Sequence, residues 1–391
     1  MHPSSYTILS PALHYYYIMP QQATIDRPAY LLLEDGTLFK GKSFGKIGTT
    51  GGELCFNTGM TGYQEVFTDP SYSGQMLIMN TAYVGNYGVN DKDVESDRVM
   101  IKGLICKNIT SRYSRMMATG SLSEYLTENG IVAIQDVDTR ALVQHVRTKG
   151  AMNCVISSEF EEVAKLQEAL NAIPKMEGLD LASGVSTKEA YTFGSEDAPV
   201  RVSVLDFGIK RNMLQCFADR GVYTKVFPAT SGVQDLLSFN PDGIFVSNGP
   251  GDPAAMDYAI KTVQDILESG KPMFGICLGH QLLALAKGIK TFKMHHGHRG
   301  LNHPVKNLRT GICEITTQNH GFGVDAASVK AQEETVEISH INLNDGSIEG
   351  IRIKDKPAFS VQYHPESTPG PYDSRYLFDD FLELIKQHKL N

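Results

Sequence analysis

Hydrophobic and polar positions divide the chain into a short unpatterned start and two halves with different rhythms. Patterning begins at Tyr30. Tyr30-Leu31-Leu32-Leu33 predicts a strand, Glu34-Asp35-Gly36 a tight turn, and Thr37-Leu38-Phe39 the returning strand. Further strand-like runs lie at 53–57, 76–80 and 99–105. Helices are expected at 121–129, where Ser121 and Glu124 form a capping box, at 139–148, and at 159–172, ended by Pro174. Together these elements predict a mixed, β-rich α/β domain over 29–183.

Residues 184–199 hold Ser, Thr, Gly and acidic side chains without periodicity and read as a linker. From Arg201 the pattern becomes strand–helix alternation. Strands are expected at 201–206, 222–226, 243–247 and 272–276, and helices at 210–220, 231–239, 253–269 and 278–287. Near-continuous apolar strands separated by helices predict a mostly parallel sheet covered on both faces. Strands at 311–317, 334–340, 348–353 and 358–363 follow, then a closing helix at 374–389. The second domain is therefore expected over 200–391, and the fold class is α/β throughout.

Composition narrows the function classes. A length of 391 residues suits two or three domains. Hydrophobic residues make up 41% and charged residues 20%, enough apolar material for a buried core. The formal net charge of −8 argues against broad binding to nucleic acid or an anionic membrane, which needs a basic patch. No run approaches the roughly 18 apolar residues of a membrane span. The six cysteines are scattered without a CxxC pair, as expected of reduced thiols in the cytoplasm. Met1 to Gln22 contains no Lys, Arg, Asp or Glu, and its apolar stretch at 13–18 is too short for a secretory signal. Residues 1–28 are expected to be a disordered tail, or extraneous sequence upstream of a start at Met19.

Three segments carry candidate chemistry. In Gly275-Ile276-Cys277-Leu278-Gly279-His280-Gln281, a strand ends at Ile276 and a helix begins at Leu278. Cys277 then sits on a sharp turn, the cysteine counterpart of a nucleophile elbow. The helix N-terminus favours a thiolate, and its free N–H groups can bind an oxyanion. By itself, this segment reads equally well as a buried structural cysteine. His364-Pro365-Glu366 follows an apolar strand, so the carboxylate can hold one ring nitrogen while the other faces a thiol. Alone, it reads as a surface His beside a surface Glu. Ser247-Asn248-Gly249-Pro250-Gly251-Asp252-Pro253 follows another strand and can expose backbone N–H groups to an anion. No ATP site is expected: Gly41 to Lys46 comes nearest to the phosphate-loop spacing but is one residue short, with Ile47 where a hydroxyl is needed.

Together the three segments resemble class I (triad-type) glutamine amidotransferases, whose pattern is a G-x-C-x-G-x-Q elbow, a later H-P-E and an upstream N-G-P-G loop. Asn57-Thr58-Gly59-Met60-Thr61-Gly62-Tyr63-Gln64-Glu65 and Thr68-Asp69-Pro70-Ser71-Tyr72 are similar to the N-terminal domain of carbamoyl-phosphate synthase small subunits. So are Gly85-Asn86-Tyr87-Gly88, Asp136-Val137-Asp138-Thr139-Arg140, Asp206-Phe207-Gly208 with Lys210-Arg211-Asn212, and Gln318-Asn319-His320-Gly321-Phe322. The likeness runs from about Tyr30 to Ile385.

The resemblance implies Cys277 as nucleophile, His364 as base and Glu366 as its orienter. It implies a glutamine site made by Thr49, Gly249, Gly251, Leu278, Gln281, Asn319, Gly321 and Phe322, with the amides of Gly249 and Leu278 as oxyanion hole. Thr49 stands where the family often has Ser. The implied activity is hydrolysis of L-glutamine through a cysteinyl thioester. The implied partner is a large subunit that uses ATP, magnesium and bicarbonate to make carbamoyl phosphate, in a cytoplasmic hetero-oligomer serving arginine and pyrimidine biosynthesis. Ammonia would reach that subunit by a tunnel, and this chain itself would hold no cofactor or metal. The family has a His- and Gly-rich turn after its elbow helix, which matches His295-His296-Gly297-His298 and His303 here; their spacing fits no zinc finger. The alternatives are an amidotransferase subunit of another synthase, a cysteine hydrolase such as a peptidase on the same elbow, or a non-catalytic interaction subunit. A peptidase would not need Gln281 or the Gly249–Gly251 loop.

Overall fold

A computed structural model of the chain describes residues 27–390. The expected tail lies outside the described residues up to position 26. Arg27 and Pro28 already belong to the fold: Arg27 Nε donates to Ser158 O at 2.6 Å, and Pro28 opens the first strand.

Among the described residues, the first domain is a closed barrel of seven strands. They are β1 (Pro28–Leu33), β2 (Leu38–Gly45), β3 (Thr49–Asn57), β4 (Gln75–Met79), β5 (Gly103–Cys106), β6 (Val132–Gln135) and β7 (Asn153–Ser157). The order around the barrel is β1-β2-β6-β5-β4-β3-β7, with β3, β4, β5 and β6 parallel and the remaining pairs antiparallel. Its helices are α1 (Tyr63–Thr68), α2 (Leu122–Glu128), α3 (Thr139–Lys149) and α4 (Val163–Asn171). Side chains alternate along β3: Leu54 and Phe56 pack with Leu31, Met76 and Ile78, whereas Cys55 packs with Leu77, Tyr63 and Phe67. The capping box of α2 forms as expected, Ser121 Oγ accepting from Glu124 N at 3.2 Å. Strands β2 and β3 run longer than expected, and two further boundaries differ for a local reason. Residues 99–102 are not strand, because Met100 N is bound to Phe67 O and Lys102 N to Gln75 O across the loop. The helix expected from 159 starts at Val163, since Ser157 Oγ accepts from Glu159 N at 3.2 Å and holds that approach in a turn.

The second domain has strands β8 (Tyr191–Phe193), β9 (Val200–Asp206), β10 (Val222–Pro228), β11 (Gly243–Val246), β12 (Met273–Ile276), β13 (Thr291–Asn307), β14 (Cys313–Val324), β15 (Val336–Asn342), β16 (Ile348–Ile353) and β17 (Ala358–Val361). Its helices are α5 (Arg211–Ala218), α6 (Val233–Ser238), α7 (Asp257–Ser269), α8 (Leu278–Ala286), α9 (Ala326–Lys330) and α10 (Tyr376–Leu390). The strands β10, β9, β11, β12 and β17 form a parallel centre, extended antiparallel by β16, β15, β13 and β14 on one edge and by β8 on the other. The centre is covered on both faces. Leu205, Ile244 and Val246 pack under α7 and α8 with Val263 and Leu282, while Val204, Phe245, Phe274 and Phe359 pack under α5 and α10 with Phe217, Phe378 and Phe381. Each such aromatic side chain, fully buried, contributes roughly 1.5–3 kcal/mol by its removal from water.

Two expectations are corrected. The segment read as linker, 184–199, carries β8, which pairs with Thr224–Val226 of β10 and finishes that sheet edge. The expected His- and Gly-rich turn is part of the 17-residue strand β13. Register shifts between Lys293 and His298 and between Gly300 and His303 break its period of two, so alternation is not visible in the sequence. Among the described residues no helix is long and apolar enough to cross a membrane.

Candidate active site

β12 ends at Ile276 and α8 begins at Leu278, so Cys277 alone makes the turn. Its backbone lies at φ 55° and ψ −102°, a conformation strained for any residue with a Cβ. Three hydrogen bonds hold it there: Cys277 N donates to Val361 O at 2.9 Å, and His280 N and Gln281 N donate to Cys277 O at 3.1 and 3.2 Å. The flanking glycines are demanded by space. A Cβ on Gly275 would meet Gly279 O at 2.7 Å, and one on Gly279 would meet Val246 O at 2.3 Å. Cys277 is 2% exposed and stands at the N-terminus of α8, where Gly279 N donates to Ser247 O at 3.1 Å.

β17 runs parallel to β12 with Val361 opposite Ile276, and delivers His364 beyond its C-terminal end. His364 N donates to Thr317 O at 2.9 Å. Its Nδ1 donates to Glu366 Oε1 at 2.8 Å, which leaves Nε2 for the thiol. Lys210 Nζ is 2.9 Å from the same Glu366 oxygen and also donates to Ser367 O at 2.7 Å. Burial opposes charge on His364, but Glu366 and then Cys277 overcome it and raise the ring well above its ordinary pKa. Burial likewise disfavours the Glu366 carboxylate, but Lys210 and His364 hold it below the usual range. Both directions describe one charged array, Lys210–Glu366–His364, aimed at Cys277.

The cleft in front of Cys277 is lined by Gly249 and Gly251 from the loop after β11, by Gln281, and by Asn319, Gly321 and Phe322 of β14. Gln281 is fixed by its Nε2, which donates to Phe322 O at 2.9 Å and to Gln362 Oε1 at 3.0 Å. Leu278 is buried behind this wall. A Cβ on Gly249 would lie 2.8 Å from its Cδ2, so the Gly-rich loop and the start of α8 are in contact.

Thr49 is not in the cleft. It opens β3, where its Oγ1 bonds Ser157 Oγ at 2.8 Å and donates to Glu159 Oε2 at 2.7 Å. The barrel hydroxyl that lines the cleft is Ser71. Ser71 lies in the one-turn 3₁₀ helix Pro70–Tyr72, its N donating to the capping Asp69 Oδ1 at 2.9 Å, and its Oγ accepts from Asn248 Nδ2 at 2.8 Å. The signal is present in Thr68-Asp69-Pro70-Ser71-Tyr72, where a proline-led turn carries a hydroxyl.

Sequence reasoning also missed the charged residues at the domain junction. Lys293 Nζ pairs with Glu53 Oε2 at 2.6 Å, and Arg299 Nη1 donates to Gln75 Oε1 at 3.2 Å and to Asn319 Oδ1. Glu53, Gln75, Lys293 and Arg299 all line the cleft, so both domains build it. The histidines of 295–303 form no single cluster: His295 Nε2 bonds Thr148 O at 3.2 Å, in the first domain, while the rings of His298 and His303 lie 5.3 Å apart. Among the described residues, His298, His320 and Glu349 bring possible ligand atoms within 4.8 Å of one another. Their rings are already engaged, His298 by Glu349 at 3.2 Å and Asp345 at 2.8 Å, and His320 by Phe322 O at 2.7 Å and Gln318 Oε1 at 2.9 Å. Protein groups therefore already face both rings.

Comparison with known proteins agrees with this division. Residues 203–384 match the family described as glutamine amidotransferase class-I, and residues 31–156 the carbamoyl-phosphate synthase small chain, CPSase domain. The chain is 48% identical over 364 residues to the carbamoyl phosphate synthase small chain of Chlorobaculum tepidum, covering 93% of this chain and 99% of that one. It is 48% identical over 379 residues to that of Escherichia coli K12, covering 93% and 98%. The small chain of Synechocystis is 48% identical over 378 residues, covering 93% and 97%. With a cysteine elbow on one domain, a barrel closing over it, and likeness along nearly the whole length, this chain belongs to the carbamoyl-phosphate synthase small chain family.

Proposed function

We propose that this chain is the glutaminase subunit of a carbamoyl-phosphate synthase, hydrolysing L-glutamine to glutamate and ammonia. The observation that carries the reading is the convergence of Cys277, on its strained elbow, with the buried His364–Glu366 pair in a cleft that both domains wall. Cys277 is the nucleophile. Its thiolate adds to the side-chain amide carbon of glutamine, and the developing oxyanion is held by the Gly249 and Leu278 amides. The C–N bond breaks as His364 gives its proton to the departing ammonia, leaving a γ-glutamyl thioester. Water then attacks the thioester carbon, the now neutral His364 takes its proton, and the C–S bond breaks to release glutamate and the thiolate. Glu366 keeps the ring oriented in both steps. Gly251, Gln281, Asn319, Gly321, Phe322 and Ser71 hold the substrate.

Ammonia released into water at neutral pH is mostly ammonium, which is not a nucleophile, so the product is useful only if passed directly to a second site. The barrel domain and the amidotransferase domain contain no phosphate loop of the nucleotide-binding type. On the likeness to carbamoyl phosphate synthase small chains, the ATP- and magnesium-dependent synthesis of carbamoyl phosphate falls to a large partner chain in a hetero-oligomer. The test is glutamate release from L-glutamine by the purified chain, alone and with the large chain of the Escherichia coli relative. Release no greater than that of a Cys277→Ala variant in both settings would overturn the reading.

A further inference from the structure

The backbone after the triad is strained, and a residue of the other domain holds it. Ser367 and Thr368 lie at φ 62° and 56°, in the left-handed region. Residues persist there only where their surroundings over-determine them. Lys210 Nζ donates to Ser367 O at 2.7 Å and Thr368 O at 3.0 Å, and Asn212 Nδ2 donates to Glu366 O at 2.7 Å. Lys210 and Asn212 both belong to the start of α5. That start is gripped by Glu95, from the segment between β4 and β5 of the barrel domain. Glu95 O accepts from Arg211 N at 2.9 Å, and Glu95 Oε2 accepts from Asn212 N at 3.0 Å. Glu95 N donates to Thr68 Oγ1 at 2.9 Å, just ahead of the turn that carries Ser71. Glu95 is 3% exposed.

We infer that Glu95 is a positioning residue of the glutaminase site, holding the backbone of Arg211 and Asn212 from the barrel domain and, through that start of α5, Lys210, Glu366 and the strained turn that orients His364. The inference rests on the glutaminase reading above. Its physical content is a division of charge. Lys210 pairs with the buried Glu366 carboxylate, and the buried carboxylates of Glu95 and then Asp69 add to its negative surroundings. With Glu95 ionised, Lys210 is shared. With Glu95 neutral, Lys210 bears on Glu366 alone and competes with His364 for that carboxylate. Burial pushes the Glu95 carboxyl up to about 7, against the pull of Lys210 and the Asn212 amide, and Glu366 raises it further. Glu65 of α1 is the other carboxylate that senses Glu95. Glu95 is therefore ionised at the alkaline end of the neutral range and protonated at the acid end.

Glu95→Gln keeps the shape and can still accept from Asn212 N, but it is permanently neutral. Measured in the complex with the large chain, its kcat for glutamine hydrolysis should fall at about pH 8 by roughly tenfold or more, the scale of a misaligned catalytic group. KM should stay within about twofold, and the deficit should shrink toward none near about pH 6, where Glu95 of the parent protein is itself protonated. Glu95→Asp keeps the charge and should recover part of the loss, with the pH dependence retained. Ammonia-dependent carbamoyl phosphate synthesis should not change. A Glu95→Gln protein with parental kcat at about pH 8, a deficit equal at both pH values, or a rise in KM at constant kcat would overturn the inference. Should Glu95→Gln not fold, an Asp variant with no deficit, or with one that does not vary with pH, would overturn it as well. A parent complex that releases no glutamate would overturn the functional reading first, and Glu95's role with it.

Discussion

Oε1 of Glu366 lies 2.8 Å from Nδ1 of His364, and neither side chain reaches solvent. The same oxygen is 2.9 Å from Nζ of Lys210, also buried. A carboxylate here does more than turn an imidazole: it neutralises a buried ammonium. Glu366→Gln should therefore cost both activity and stability, about 3–5 kcal/mol of the latter, because the buried Lys210 loses the carboxylate that it contacts. Adding Lys210→Met should return most of the stability but not the glutaminase rate. Urea unfolding and glutamate release on the single and double variants check this. A single variant as stable as the parent would mean that the pair is not buried as described.

Ser71 and Thr49 offer a direct comparison of two barrel hydroxyls. Ser71 faces the cleft and accepts from Asn248, whereas Thr49 is spent on Ser157 and Glu159. Ser71→Ala should raise KM for glutamine by about two- to tenfold, the worth of one lost hydrogen bond. Thr49→Ala should leave KM unchanged. Steady-state kinetics with both variants decides between them, and the reverse order would restore the assignment made from sequence.

The elements that could be read beforehand are those whose signal is local. β12 and α8 meet at Cys277 because an apolar run changes period within one residue, and the flanking glycines mark the close approach. The start of α2 was legible from Ser121 and Glu124, since both halves of that cap are written three residues apart. What escaped notice depends on long-range contact. β13 hides its strand character in two register shifts and a polar face turned to the cleft. β8 is three residues long and is a strand only because β10 offers it an edge. Lys210 and Glu95 are ordinary charged residues in sequence, and only the fold brings them 115 positions together around Glu366. Thr49 was implied by position in the resemblance alone, and only the fold shows that it bonds Ser157 and Glu159 while Ser71 meets the second domain.

His280, one turn into α8 from the nucleophile, should make the fold sensitive to acid. Its Nδ1 pairs with Ser360 Oγ at 2.9 Å, and burial, then His340, push its pKa down from 6.5 to about 3. The folded chain keeps this ring neutral, while the unfolded chain protonates it below about 6.5. Unfolding thus takes up a proton between those values, and the stability the neutral ring contributes is lost as pH falls through the window, at about 1.4 kcal/mol per pH unit. His280→Gln removes that titration. The difference in unfolding free energy, parent minus variant, should decline at this slope between about pH 6 and pH 4. A difference independent of pH would show that the ring is protonated inside the fold.

The sharpest test falls on Cys277, because on the proposed mechanism it alone forms the thioester. Serine is nearly isosteric and faces the same backbone demand at φ 55°, so Cys277→Ser should fold as the parent does. Its hydroxyl is far less acidic than a thiol, and neither the N-terminus of α8 nor His364 can make it an effective nucleophile. Glutamine hydrolysis and glutamine-dependent carbamoyl phosphate synthesis should both be abolished. The carbamoyl phosphate site lies in the partner chain on this reading, so the variant complex should still make product when free ammonia is supplied. Each rival predicts a different pair of outcomes. A peptidase or unrelated hydrolase on the same elbow predicts no ammonia-dependent synthesis with any partner, and a non-catalytic subunit predicts no effect on glutamine use. Measuring both rates on one preparation separates the three, and retained glutamine-dependent synthesis in Cys277→Ser would remove the nucleophile from the mechanism altogether.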